Sequence, residues 1–240
     1  MDIFSLNVID VVIVLFILCG GVVGMKRGVF KELAMTVGYI IMILLAIVLK
    51  NPIAELLSLN LPFFNFSGSF EGLVVLNILL YQLLAFILVF AVLSIIFYVV
   101  LSVTKVFEKI LNFTVILGLV SKLLGLIVGL IEGYIIVFLI CVVLSYPVFN
   151  QTVVAESKLK DKILTSTPVL SNVAKAMTDT VDEVIELSKT DVKNDKDEFN
   201  RQSVDIMLKH KLITPKYVEK LIEADKITTP GMQEIVDEYK

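Results

Sequence analysis

The sequence predicts an all-α fold: a polytopic membrane protein with four transmembrane helices and a small helical C-terminal tail. Three observations predict it. Apolar runs fill residues 8–146, broken only by short charged or proline-bearing stretches. The chain from Pro147 onward is charged and polar. Mean hydropathy is +0.90 with 57% hydrophobic residues, above the roughly 45–50% apolar usage of soluble domains, and the excess lies entirely before Pro147.

The first span is read at 8–24, beginning at Val8 with Asp10 near one end. Met1 to Asp10 carries no Lys or Arg and lacks the basic start of a secretory signal, so this span is expected to be retained. Lys26, Arg27 and Lys31 separate it from the second span at 29–49. Asn51–Glu71, with Pro52, Pro62 and Phe63-Phe64-Asn65-Phe66, reads as a loop whose aromatic rings rest at the interface. Gly72–Val103 has no charge at all; it is long for one span and short for two, which suits a single tilted helix at about 73–101 or a span with an interfacial extension. Residues 104–122 mix Lys105, Glu108, Lys109 and Lys122 with large apolar residues. That pattern fits either a helix on the bilayer surface or a helical stalk extending the third span. The fourth span is read at 123–146, ended by Pro147.

With four spans, the first and third loops share one side and hold Lys26, Arg27, Lys31, Lys105, Lys109 and Lys122, against Lys50 alone in the second. Basic loops stay in the cytoplasm, so a multi-pass cell-membrane protein is expected with both termini outside. Its partners are the lipid bilayer, a second copy of the chain, or an envelope or secretion protein met by the tail. The tail's 14 basic and 17 acidic residues account for the whole net charge of −3, which provides no basic platform for nucleic acid. Cys19 and Cys141 fall within apolar spans and read as small hydrophobes. His210 is the sole histidine. No metal set, cofactor site or catalytic nucleophile–base pair is expected, and no enzyme.

Two ladders of small residues stand at four-residue spacing: Gly20, Gly24 and Gly28, and Ser121, Gly125, Gly129 and Gly133. Such spacing lines one helical face and lets another backbone approach closely, the packing that holds helices together in lipid. The ladders predict a helix–helix seam within the chain or between copies. Glu132 sits inside the fourth span beside its ladder. A carboxylate at mid-membrane costs about 2.5–3.5 kcal/mol on insertion scales, so it needs a partner. The favoured reading is a structural pair with Asn77, Tyr81 or Gln82 of the third span, because no second intramembrane charge is visible at its depth. The competing reading is a proton or ion relay.

Asp10, Arg27-Gly28 and Glu32 at the head of an apolar helix, the run Leu124–Gly133, and Ser157 followed by Thr167-Pro168-Val169-Leu170 together resemble the CvpA family, the colicin V production protein family of bacterial inner-membrane proteins. The resemblance covers about residues 1–175. It implies four transmembrane helices and a role in colicin V-type toxin production or export and in envelope processes. The family often has a basic residue before its last ladder glycine, where this chain has Glu132. From the residues themselves, Asp10 is placed to cap the first helix, Gly28 to make a tight turn, and Arg27 and Glu32 to pair across it. Two functions follow as expectations: a non-enzymatic scaffold or accessory with the tail as its interaction module, or a small channel or transporter using Glu132.

In the tail, residues 147–189 read as helical, with an apolar stripe from Val169 to Leu187. Residues 190–198 read as a polar linker, and 199–240 as a small helical module opened twice by Thr-Pro, at Thr214-Pro215 and Thr229-Pro230. A core that small is marginal alone, so it is expected to dock on another surface.

Overall fold

The computed structural model describes residues 7–66, 72–103, 106–146, 149, 152–167 and 170–240, and the side chains of 106–117, 152–153, 172–174 and 193 are outside the description. Its helices are α1 (Val8–Arg27), α2 (Val29–Asn60), α3 (Val74–Val103), α4 (Val106–Leu144), α5 (Thr152–Ala155), α6 (Lys158–Ser166), α7 (Leu170–Leu187), α8 (Lys196–Lys209), α9 (Pro215–Glu223) and α10 (Met232–Asp237). No strand occurs among the described residues. Among the described residues, four helices are long and apolar enough to cross a membrane: α1, α2, α3 and the Gly118–Leu144 part of α4. The third apolar stretch is one uninterrupted helix, as its length suggested.

The chain divides into two compact units. The first comprises Met1–Val48, Leu88–Leu144 and Gln151–Thr167; the second comprises Leu49–Ile87, Ser145–Asn150 and Pro168–Lys240.

In the first unit, α1 starts under Asn7, whose side chain accepts from the Ile9 amide at 2.9 Å. It ends at Gly28, whose φ of 80° suits a residue without Cβ. Gly28 N–H donates to Gly24 O at 2.9 Å, and α2 begins at the very next residue. The Val29 amide, free of an intrahelical partner at a helix start, donates to Ser121 Oγ of α4 at 3.2 Å. α4 is broken at Gly118 (φ 48°, ψ −119°), so the helix before it is not a straight continuation of the fourth span. The amphipathic face expected there lies outside the described residues as far as residue 117.

In the second unit, the helix expected to stop at Leu49 runs on through Pro52 to Asn60. The residues read as a loop are helical there because tertiary burial outweighs proline's cost. Ala54 and Ser58 have no exposed surface, and Tyr217 O–H donates to Ser58 Oγ at 2.8 Å. Lys220 pairs with Glu55, and Lys226 Nζ donates to Leu61 O at 2.9 Å. Asn77 clasps Phe64 in both directions, accepting from its amide at 2.7 Å and donating to its carbonyl at 3.2 Å. Tyr81 O–H donates to Pro62 O at 2.7 Å. Asn200 of α8 accepts from the Val74 amide at 2.9 Å and donates to Gly72 O at 3.1 Å, which closes the start of α3.

The tail's small core is built from Phe199, Val204, Met207, Leu212, Val218, Leu221 and Val236, all buried. It does dock, on the 49–87 segment and on α7, where Lys209 and His210 reach Glu183 at 3.0 and 2.7 Å. Two expectations need correction. The polar linker is mostly structured: a 3₁₀ turn spans Asp191–Asn194, and Asp195 caps α8 by accepting from the Asp197 and Glu198 amides. Thr214 caps α9 as expected, but α10 starts after Gly231, not at Thr229. Thr229 is instead buried, and the left-handed Gly231 resets the chain direction.

Candidate functional site

α1 and α4 run antiparallel and touch backbone to backbone. A Cβ built on Gly24 would stand 2.7 Å from Gly129 Cα, and one on Gly20 would stand 2.8 Å from Gly133 Cα. A Cβ on Gly125 would meet Gly24 O and, at 3.0 Å, Gly28 Cα; one on Gly129 would meet Gly20 O and, at 2.9 Å, Gly24 Cα. Gly133 is looser, with Ile17 Cα at 3.1 Å. The two ladders of the sequence therefore face each other within one chain, and no side chain larger than hydrogen fits at the four tightest positions.

This seam carries charge to a defined place. With α1 and α4 in register and α2 folded back at Gly28, Arg27 Nη1 lies 3.4 Å from Glu32 Oε2 and 3.4 Å from Glu132 Oε1. Thr36, one turn beyond Glu32 on the same face of α2, donates through Oγ1 to Glu132 Oε2 at 3.3 Å. Glu32 has no exposed surface and Glu132 is 6% exposed. Glu32 Oε1 has no hydrogen-bond partner. Two buried carboxylates thus share one guanidinium.

The expected partners of Glu132 on the third span are elsewhere. Asn77 and Tyr81 hold the 61–66 segment, and Gln82 accepts from Lys50 Nζ at 2.5 Å. The correction has a simple geometric cause: Gly28 allows so abrupt a reversal that residues flanking the turn are drawn against α4. Arg27 and Glu32 are then the charged neighbours of Glu132 that the linear sequence seemed to lack. Thr36 was not singled out from sequence. Its signal was the four-residue spacing from Glu32.

Asp10 does not cap α1; Asn7 does. Asp10 is buried and instead accepts from Ser157 Oγ at 2.5 Å and from the Leu159 amide at 3.3 Å. Ser157 in turn caps α6, accepting from the Lys160 amide at 3.1 Å. The residue near the start of the first span is thereby tied to the segment that follows the fourth. Tyr134 of α4 hydrogen-bonds Thr167 at 2.7 Å, fixing the other end of α6.

Four apolar helices, of which α1, α2 and α4 are joined by a glycine seam and a buried ion cluster, define a multi-pass membrane protein. The family described as Colicin V production protein matches residues 9–168, and the chain belongs to that family. The match contains Asp10, Arg27, Gly28, Glu32, both ladders, Glu132 and Ser157; helices α7–α10 lie beyond it. No curated protein and no solved structure matches the chain.

Proposed function

We propose that this protein is a non-enzymatic scaffold or accessory of the bacterial cytoplasmic membrane, serving colicin V-type toxin production or export or related envelope processes. Both termini face outward, and the C-terminal module is the surface that meets an envelope or secretion protein. The observation that carries this reading is the second unit. There α7–α10 do not trail as a loose end but share a core and are tied to the 49–87 segment through Ser58–Tyr217, Glu55–Lys220 and Asn200. A tail fixed so firmly presents a preorganised face, which lowers the ordering cost of binding a partner. The orientation is supported by the basic first and third loops and by the Asp10–Ser157 bond, which needs the chain before span one and after span four on one side.

The test pairs deletion of residues 190–240 with charge reversal at the exposed Lys211, Lys216 and Glu223. Loss of the envelope phenotype in both, with normal membrane insertion, supports the scaffold. A deletion as active as the intact chain sinks it. A reporter fused after Lys240 that is active only in the cytoplasm overturns the orientation.

One observation favours a second reading, a small channel or transporter: the Arg27–Glu32–Glu132 cluster holds one more acid than base and an unpartnered carboxylate oxygen. In that case Glu132→Gln abolishes proton or ion flux in proteoliposomes while the protein still folds.

A further inference from the structure

Where α6 meets the first turns of α1, an open groove of about 460 Å³ remains. Its apolar wall is Val11, Val14 and Leu15 of α1 with Leu159 of α6, and Lys158 and Lys162 stand on its α6 side. The three α1 residues are 43%, 46% and 54% exposed and belong to a membrane-spanning helix, so hydrocarbon is the medium that covers them. Lys158 and Lys162 are one turn apart on one face of α6, and both are exposed. The Asp10 bonds to Ser157 and Leu159 hold α6 at the N-terminal end of the first span, and the end of a spanning helix is where hydrocarbon gives way to lipid headgroups.

The geometry points to a binding site for one anionic phospholipid of the surrounding bilayer, its acyl chain along Val11, Val14 and Leu15 and its phosphate between Lys158 and Lys162. The charge balance favours an anion. Asp10 is the acid in the lining, and it is engaged by the Ser157 hydroxyl and the Leu159 amide. Asp161 points its charge to Lys160 at 3.5 Å. Lysine stems cover apolar surface while their ammonium groups reach the headgroup layer, and basic pockets beside membrane helices recognise anionic headgroups. A polypeptide suits this groove less well, since its backbone amides would need partners that an apolar wall does not supply. The site is independent of the scaffold reading and of which side of the membrane carries the termini.

The test uses the full chain in nanodiscs of phosphatidylcholine containing a minor fraction of phosphatidylglycerol, with co-purifying lipid counted by native mass spectrometry. The intact protein retains phosphatidylglycerol above its bulk fraction. Replacing either lysine with glutamine, Lys158→Gln or Lys162→Gln, lowers that enrichment roughly fivefold, the size of one lysine's attraction to an anionic surface. The double variant abolishes it, whereas Lys189→Gln and Lys216→Gln in the tail leave it unchanged. Val14→Trp, which fills the groove with both lysines in place, displaces the lipid. Equal retention by the double variant, an equal loss in the tail variants, or no enrichment in the intact protein overturns the site.

Discussion

In the first unit the closest approach is backbone to backbone, Gly24 against Gly125 and Gly129, and the charged groups are drawn inward between helices. In the tail of the second unit large side chains make the core, Phe199, Met207, Tyr217 and Leu221 among them, and charges such as Lys220, Lys226 and Glu183 sit toward its surface, while Lys50 of the 49–87 segment is buried against Gln82. The difference follows from the solvent each sequence is written for. Lipid is as apolar as leucine, so burying leucine there yields little, and helices associate through small residues and polar bonds. The tail is rich in charge and faces water, where burying apolar surface is the dominant favourable effect. One chain thus uses glycine as the adhesive between α1 and α4 and phenylalanine and leucine in its tail.

The largest expected effect tests whether the first unit's charges act as one cluster. Arg27→Gln leaves Glu32 and Glu132 facing each other in a buried site, and breaking a buried pair costs about 3–5 kcal/mol. Glu132→Gln leaves Arg27 with Glu32 one to one and costs clearly less, as does the charge-free triple variant Arg27→Gln/Glu32→Gln/Glu132→Gln. Reversible unfolding in mixed micelles ranks the three, and equal costs for Arg27→Gln and Glu132→Gln would separate the residues into independent sites.

Next come the glycines. Gly24→Ala and Gly125→Ala must push two backbones apart, and overpacking costs about 1–3 kcal/mol. Gly133→Ala, where the nearest atom is 3.1 Å away, costs less in the same assay. A flat series would mean that the seam is not the closest contact in the membrane.

In the second unit, Asn200→Ala strips the Val74 amide of its acceptor and leaves Gly72 O without its donor. Gly72 is exposed and both bonds are only part-buried, so each is worth about 0.5–1.5 kcal/mol and the two together exceed a single bond. Tyr217→Phe removes a single hydroxyl bond to Ser58, worth about 1 kcal/mol. Burial pushes the Tyr217 phenol up to about 12, so it remains a donor at any physiological pH. Amide hydrogen exchange should show α8 and the start of α3 losing protection together in Asn200→Ala, and the second unit alone responding to Tyr217→Phe.

The smallest effect is electrostatic. Hydrogen bonds from Lys209 and His210 hold the Glu183 carboxyl below its ordinary value. A carboxyl lowered by folding contributes stability that is fully present above the ordinary carboxylate range and is lost as pH falls through the depressed value. The pair is surface-exposed, so the change is slight. Glu183→Gln should flatten the acid side of the tail's pH–stability curve and leave neutral pH nearly unaltered.

Much of the architecture was legible in the sequence. Hydropathy alone places four membrane helices, because a helix is the one local structure that satisfies its own backbone in lipid. The small-residue ladders were legible because four-residue spacing defines a helical face whatever lies opposite. The α9 start was written in Thr214-Pro215, a signal local to one turn. Glu132's partner was not legible. Asn77, Tyr81 and Gln82 are equally polar and equally available in a linear reading, and each found a nearer partner in the 50–66 segment. Pro52 misled for the converse reason: it marks a local break, while burial of Ala54 and Ser58 under the tail keeps the helix intact.

By itself the sequence determined the class of protein, the number of spans, the residues able to form a tight seam and the need for some partner at Glu132. These depend on composition and period, which are properties of the chain. Only the tertiary structure decided that the two ladders meet each other, that Arg27 and Glu32 join Glu132, that Asp10 reaches Ser157, and that the tail core rests on the 49–87 segment. Each of these couples residues far apart in the chain, and their choice is set by which backbones can come close enough to touch.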